Sequence, residues 1–342
     1  MKQQKTAKIT FAAINPYIEI NKYLPTEREN RGKEFISWGE DNAYPGYLYD
    51  LYLNVTTLHS IINGVVTYVL GTDTKDYCEL IKDIALSYSI YGGFAIAVYR
   101  NKLGKVVKLE VLDMRNIRTN KKNTQFWYSE DFCNGYVNKN KCLKYPKFDQ
   151  DSKDPVSIYF YKTNKYQVYP LPYYVGAITA CELEKSIDEF HLNSINNGFQ
   201  GSCLFNFNNG QPEETEQEDI VNAIEEKFTG KDNAGRIIVS FNDDKDHQTE
   251  VTPLNPTDFS DRYNSLAERA RSEIFCSWRT TPNIMGIPTE TTGFNSQEYS
   301  AAFKLFNITV IKPIQEIIIN TIQFLTGQNI TINPFKINFN ED

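Results

Sequence analysis

Histidines and paired carboxylates most often bind metals or move protons, and in this chain neither forms a usable pattern. His59, His191 and His247 lie far apart and lack HExxH or Cys/His ligand spacing. The carboxylates within Asp243–Asp246 favour a solvated turn over an acid/base pair or a Mg²⁺ site. We therefore predict no metal site and no cofactor.

Nucleophilic and nucleotide-binding motifs are also missing from the sequence. It contains no GxxxxGK[ST] phosphate loop, no GxGxxG after a predicted strand and no GxSxG serine motif. Residues 1–10 are basic and polar, without the apolar segment of a secretory signal. We interpret the cysteines, which form no CxxC pair, as reduced, buried side chains in a cytosolic compartment: Cys78, Cys133, Cys142, Cys181, Cys203 and Cys276. These patterns argue against an enzyme.

One polar segment, Arg279–Asn295, has the composition of a loop that is presented to another molecule. Its sequence RTTPNIMGIPTETTGFN contains two prolines and two glycines, and Thr289, Thr291 and Thr292 adjoin Glu290. A segment this polar, and this often interrupted by proline and glycine, does not pack in a core. We predict an exposed loop with a binding or contact role.

Two amphipathic helices must position this loop. The first is predicted over Asp258–Trp278, where apolar residues recur every three or four positions. The second is predicted over Ser296–Leu325 and stops at Gly327, a glycine typical of helix C-termini. Pro313 lies inside the second helix and removes one backbone hydrogen bond, so we expect a kink there.

The rest of the chain alternates helical and strand-like patterns, which predicts an α+β fold. Helical periodicity recurs in Asn54–Leu70, with Asn54 or Thr56 as the cap, in Thr74–Tyr91 and in Val175–Asn197. A β-hairpin is predicted between Phe94 and Asp113. Shorter strand-like runs are Thr124–Tyr128, Val156–Tyr161 and Tyr166–Tyr169.

The aromatic segment Ser37–Asn54 leaves two interpretations open. Its turn signals, which include Pro45–Gly46, predict a loop. The aromatic residues around those signals are Trp38, Tyr44, Tyr47, Tyr49 and Tyr52. They form either a small core beneath the loop, which residue types favour, or a surface that contacts another subunit.

Composition limits the classes of partner. The chain has 342 residues, with 43 Asp and Glu against 36 Lys and Arg, and a formal net charge of -7. Tight binding of nucleic acid depends on basic residues that neutralise phosphates, so this balance argues against it without excluding passage of nucleic acid. No run of about 18 apolar residues is present, so we predict no membrane partner.

Four segments in order resemble the portal protein of tailed bacteriophages and prophages. They are GEDNAYPGYLYDLY at 39–52, SIYGGFAIAVYRNKLGKVVKLEVLD at 89–113, FTGKDNAGRIIVSF at 228–241 and WRTTPNIMGIPTETTGFNSQEYSAAFKLFNITVIKPIQEII at 278–318. The resemblance covers Gly39 to Leu325. No single motif is as specific as a zinc or phosphate-loop signature, so the order and spacing of several segments carry it.

The resemblance implies a channel-forming, non-enzymatic virion protein. Portal subunits form a homo-oligomeric ring, usually of twelve, at one capsid vertex, and double-stranded DNA passes through its channel during packaging and ejection. The implied partners are other copies of the chain, DNA in transit, the terminase large subunit, the major capsid protein and a neck or tail adaptor. The implied location is the virion, after assembly in the host cytoplasm.

The resemblance also implies a portal-like subunit organisation: an α/β wing, a β-rich clip-like insert, a stem helix and long C-terminal helices around a tunnel loop. Little chain remains for a crown domain. The implied divisions are a flexible tail (1–10), the first part of the wing (11–115), the clip-like insert (116–174), the stem-like helix (175–199), the second part of the wing (200–256), the tunnel helix, tunnel loop and long C-terminal helix (257–327) and a short C-terminal tail (328–342).

On this resemblance the tunnel loop faces DNA. Small hydroxyl side chains can touch a phosphate backbone without fixing it, and an acidic lining lowers affinity so that the duplex can move. Glycine and proline in the loop allow it to shift as DNA passes. The DNA-channel loop candidates are Thr289, Glu290, Thr291, Thr292, Gly293, Phe294 and Asn295.

Two other functions remain as alternatives. A phage nucleic-acid-processing enzyme, such as a Mg²⁺-dependent nuclease, would need a constellation of carboxylates at strand ends, and the sequence shows none. A non-channel capsid adaptor would differ in oligomeric state, because a portal must close as a ring through head-to-tail interfaces.

Overall fold

The computed structural model describes residues 27–29, 34–39, 42–72, 74, 76–134, 142–196, 203–207, 215–220, 237–241, 257–287 and 296–335. It combines helices and sheets, which confirms the predicted α+β class. In chain order the elements are β1 (Glu27–Glu29), β2 (Ile36–Trp38), α1 (Tyr44–Asn54), α2 (Thr56–Leu70), α3 (Cys78–Tyr91), β3 (Gly93–Arg100), β4 (Val106–Leu112), β5 (Ile117–Thr119), β6 (Gln125–Tyr128), β7 (Leu143–Pro146), β8 (Val156–Lys162), α4 (Ile178–Asn196), β9 (Cys203–Phe207), β10 (Ile237–Phe241), α5 (Thr257–Ser277), α6 (Ser296–Phe306) and α7 (Lys312–Thr326).

Helix α2 lies at the centre of the hydrophobic core. Its fully buried residues are the apolar set that the helical spacing predicts: Leu58, Ile61, Ile62, Val65 and Val69. The predicted caps of this helix are wrong, because the N-cap residue is Val55 and no side chain of α2 caps it. A carboxylate from α4 serves that end of the helix instead, as described below.

The segment that was predicted to turn at Pro45–Gly46 is helix α1. Pro45 lies in its first turn, where an N–H group would have no partner within the helix, so proline is compatible with the helix there. Trp38 and Tyr44 are each 1% exposed, and the Trp38 ring stacks on that of Tyr169 with centroids 4.5 Å apart. These contacts support the small-core interpretation for the buried rings.

A three-stranded antiparallel sheet has the order β4-β3-β8. Strands β3 and β4 form the predicted hairpin, with Ile96 opposite Val111 and Val98 opposite Leu109. On the other side of β3, Ala97 pairs with Ile158 of β8. Every residue from Gly93 to Val98 is buried, which is why this strand is apolar on both faces rather than alternating.

A second antiparallel sheet has the order β1-β2-β5-β6-β7, and a third, parallel pair joins β9 and β10. The strands within 116–174 are therefore divided, since β5 to β7 join β2 whereas β8 joins the wing hairpin. The predicted strand at Tyr166–Tyr169 is wrong, because that stretch bends while the Tyr169 hydroxyl donates to the Ile36 carbonyl. Calls on 1–10 and on most of 200–256 lie outside the described residues.

The C-terminal helices are interrupted once. A π-helical stretch, Asn307–Ile311, lies between α6 and α7, and the Lys312 N–H donates to the Asn307 carbonyl across it. Gly327, in the left-handed conformation at φ 72°, ends α7 as predicted. Beyond it, Ile332 is buried and the Thr72 N–H donates to the Asn333 carbonyl, so residues 328–335 lie against α2.

Within the part of the chain that the structure describes, no single helix is long and apolar enough to cross a membrane. The helices α1 and α2 meet that test only as a pair, and they are bent at 94° to each other.

Candidate functional site

The predicted tunnel loop begins after α5, where Trp278 anchors the chain. This side chain is fully buried, and its ring stacks on those of Tyr173 and Tyr174 at centroid distances of 5.8 and 6.2 Å. Arg279 then takes the left-handed conformation at φ 51°, which ends the helix. The stacked rings therefore fix the point at which the chain leaves the core.

A short 3₁₀ helix, Pro282–Met285, forms the rest of this first anchor. Its N-cap is the extended residue Thr281, and Gly286 ends it in the left-handed conformation at φ 79°. Ile284 is buried, whereas Ile287 is 45% exposed, so the chain turns away from the core over three residues. The last described residue before the loop candidates is thus already near solvent.

The second anchor is the first half of α6. Tyr299 and Phe303 stack with ring planes almost parallel and centroids 6.4 Å apart, and Phe306 is buried. Phe303 also contacts the edge of the Phe335 ring at 6.3 Å. This spacing of aromatic residues, four and then three apart, places them on one side of the helix.

Tyr68 of α2 connects the two anchors. Its hydroxyl donates to the Ile284 carbonyl at 2.6 Å, and the same hydroxyl interacts with the Tyr299 side chain. Its ring lies 5.5 Å from that of Phe303 and 6.1 Å from that of Phe306. Burial and the Tyr299 hydroxyl raise the pKa of Tyr68 well above its usual value, so the phenol stays protonated and remains a donor.

A cleft of about 430 Å³ opens between α2 and the two anchors. Gly64, Met285, Tyr299 and Phe335 line it. A Cβ at Gly64 would lie 2.6 Å from the Met285 Sδ, so the glycine allows the 3₁₀ helix to approach α2 closely. We call this space the anchor cleft.

A buried carboxylate joins α4 to the beginning of α2. Glu184 is 3% exposed, and its Oε1 accepts hydrogen bonds from the Thr57 hydroxyl at 2.8 Å and the Thr57 N–H at 3.3 Å. An acidic group at a helix N-terminus satisfies one of the free N–H groups and interacts favourably with the helix dipole. Burial raises the pKa of Glu184, and the Thr57 hydrogen bonds and nearby Arg271 only partly oppose this.

The predicted loop residues, Thr289, Glu290, Thr291, Thr292, Gly293, Phe294 and Asn295, lie outside the described residues. Their role remains a prediction. Pro313 lies in the first turn of α7, and the π-helical stretch comes directly before it. The kink at Pro313 also remains a prediction.

Sequence reasoning missed Tyr68 and Glu184. Each acts on a residue more than a hundred positions away, since 216 positions separate Tyr68 from Ile284 and 127 separate Thr57 from Glu184. The only local signal was a polar atom close to the apolar stripe of its helix. Among the described residues, no group of three or more His, Cys, Asp or Glu side chains is arranged to hold a metal ion.

Comparison with known proteins gave one family. The model of a family described as phage portal protein matches residues 74–339. This range includes α3, the central hairpin, both loop anchors and α7. No curated protein matches the chain.

Three solved structures illustrate the structural similarity. The neck of an empty gene transfer agent particle gives a TM-score of 0.49 at 16% identity, over 84% of this chain and 83% of that chain. The virion of the native gene transfer agent particle gives 0.46 at 14%, over 85% and 80%. A crystallised HK97-family phage portal protein from Corynebacterium diphtheriae gives 0.43 at 11%, over 82% and 89%.

Proposed function

This chain belongs to the phage portal protein family, and we propose that its copies form a ring, of twelve subunits in the family pattern, around a channel at one capsid vertex. Double-stranded DNA is packaged and later ejected through that channel. The observation that carries this proposal is the family match over residues 74–339, which includes both helices that flank the loop. The family is structural, and we expect no catalytic activity.

The geometry of the anchors supports a loop with a defined position. The chain leaves the core at the stacked Trp278 and returns at the aromatic side of α6. Tyr68 holds the 3₁₀ helix and α6 against the same face of α2. Because both ends are tied to one buried helix, every copy in a ring would present the loop in the same place.

We further propose the partners that a vertex ring requires. These are the terminase large subunit during packaging, the major capsid protein around the ring and a neck or tail adaptor afterwards. The protein would then be a virion component that assembles in the host cytoplasm. The organisation into wing, clip-like insert, stem-like helix and tunnel elements, with the boundaries given above, belongs to the same proposal.

The first test is negative-stain electron microscopy of the purified protein, together with its mass in solution. We expect rings with a central hole and a mass of about twelve subunits, the number that the family resemblance implies. Coexpression with the capsid protein covers the case in which the ring needs a scaffold. A chain that stays monomeric under both conditions, or that cleaves DNA with Mg²⁺, would contradict the proposal.

The second test addresses the loop. Replacing Thr289, Thr291 and Thr292 by lysine adds positive charge that binds phosphates, so we expect less packaged DNA per particle. A charge-matched control carries lysine at three exposed positions outside the loop, Leu103, Val107 and Tyr166. Equal packaging by the two variants would show that the loop does not face DNA.

A further inference from the structure

The outer face of α6 carries an apolar pair that nothing covers among the described residues. Leu305 is 65% exposed and Ile308 is 64% exposed. They are three positions apart, so they form one ridge. Lys304 and Lys312 lie beside this ridge and are exposed. We call Leu305 and Ile308 the α6 ridge.

The anchor cleft lies on the other side of the same helix. Tyr299 of α6 lines it, and at 100° per residue the Ile308 position is rotated by about 180° from Tyr299 and the Leu305 position by about 120°. One subunit therefore has an apolar projection on one side of α6 and an apolar depression on the other. Neither surface can fill the other within a single chain.

The polar groups of the two surfaces also complement each other. Asn283 lines the anchor cleft, and its Oδ1 is buried without a hydrogen-bond donor among the described residues. A buried acceptor that lacks a donor destabilises the folded chain, so a donor from outside is favoured. The Lys304 ammonium is exposed beside the ridge, and no ion pair within the described residues involves it.

We propose that the α6 ridge of one subunit enters the anchor cleft of the next copy of this chain, with Lys304 donating to the Asn283 Oδ1 of that copy. The contact joins two different surfaces, so repeating it by a constant rotation closes a ring. The inference rests on the proposed ring and adds the surface through which its subunits meet. It also links ring closure to the loop, because the residues around the cleft are the loop anchors.

Disulfide cross-linking tests the contact directly. Ile308→Cys is combined with Ser60→Cys or Thr67→Cys, the exposed positions of the cleft, in a chain whose exposed Cys276 is replaced by Ser. Mild oxidation should give a ladder of covalent oligomers that extends to the full ring. Each single-cysteine variant should give no ladder, since both thiols are needed in every subunit. Intact rings that yield no ladder from either pair would overturn the inference and leave the proposed function standing.

A charge substitution gives a second, independent readout. Ile308→Asp changes a side chain that is exposed in the single subunit, so the melting temperature of the subunit should stay the same. We expect the fraction of chains in rings to fall by about tenfold or more, because a charge enters an apolar contact at every junction. The matched control is Leu103→Asp, which changes an 85% exposed side chain on the β3–β4 turn. Full ring formation by Ile308→Asp would refute the proposed contact, whereas absence of rings in the parent chain would refute the proposed function.

Discussion

A single hydroxyl group, that of Tyr68, holds both ends of the loop segment. It donates to a backbone carbonyl on one anchor and meets a phenol on the other, while its ring packs against α6. Sequence patterns identified α2 as a buried helix but could not identify this role, because the partner atoms come from segments that meet only in the folded chain. The apolar stripe is local information, whereas the hydrogen bond is not.

Tyr68→Phe keeps the ring and removes the donor. We expect the free energy of unfolding to fall by about 1 kcal/mol, since the Ile284 carbonyl loses its tyrosine partner. Denaturant unfolding measures the change. Tyr166→Phe, at a side chain that is 98% exposed, is the matched control and should leave stability unchanged. Equal stability of the two variants would contradict the assigned role.

Glu184 should make stability depend on pH in the direction opposite to an ordinary ion-paired carboxylate. Its pKa is raised on folding, so the folded chain favours the protonated form. The unfolded chain loses this proton as pH rises through about 4.3, and from there upwards the buried charge lowers the free energy of unfolding until Glu184 also ionises in the folded chain. Thr57, Arg271, Asp188 and Cys181 surround this carboxyl.

Glu184→Gln removes the titration and keeps an acceptor for Thr57. We expect the stability of the variant, minus that of the parent, to increase as pH rises above about 4.3. Urea unfolding at a series of pH values measures this difference. Glu189→Gln, at an exposed carboxyl on the same helix, provides the control. A difference that decreases with pH would show that the folded carboxylate is favoured instead.

At the scale of elements, the sequence predicted best what neighbours in the chain determine. The β3–β4 hairpin needs only a short turn between two apolar runs, and its position was correct to within one or two residues. The partner of β5 was not predictable, because β2 lies about 80 positions earlier and its pattern is too short to specify register. Helix α1 was missed because Pro45–Gly46 favours a turn locally, and tertiary packing outweighs that preference.

The corner between α3 and β3 depends on Gly92, and a second glycine provides a close control. Gly92 (φ 76°, ψ 16°) and Gly327 (φ 72°, ψ 6°) share one left-handed conformation. A Cβ at Gly92 would collide with the Leu171 carbonyl, whereas nothing lies within 4 Å at Gly327. We expect Gly327→Ala to cost about 1 kcal/mol and Gly92→Ala about 3 kcal/mol or more in thermal unfolding. Equal losses would mean that the corner relaxes without strain.

At the scale of the whole molecule, two unlike surfaces on one subunit make a specific prediction about mixtures. Ile308→Asp damages the ridge but leaves the cleft, and Thr67→Arg blocks the cleft but leaves the ridge. The mixture of these variants retains one intact contact per pair and no way to continue it. Native mass spectrometry should therefore show one-to-one dimers and no rings. Rings that contain both variants would exclude this contact as the one that closes the assembly.

The π-helical stretch between α6 and α7 has a consequence for how this chain can change over evolution. An α-helix advances about 100° per residue, so loss of one residue from Asn307–Ile311 would rotate everything that follows by that angle. Ile314, Ile318 and Ile322, all fully buried, would then turn out of the core while the ridge kept its direction. The stretch sets the rotational phase between the surface that faces outward and the surface that faces inward. Substitutions there alter a side chain, but insertions or deletions alter which side of the helix belongs to the core.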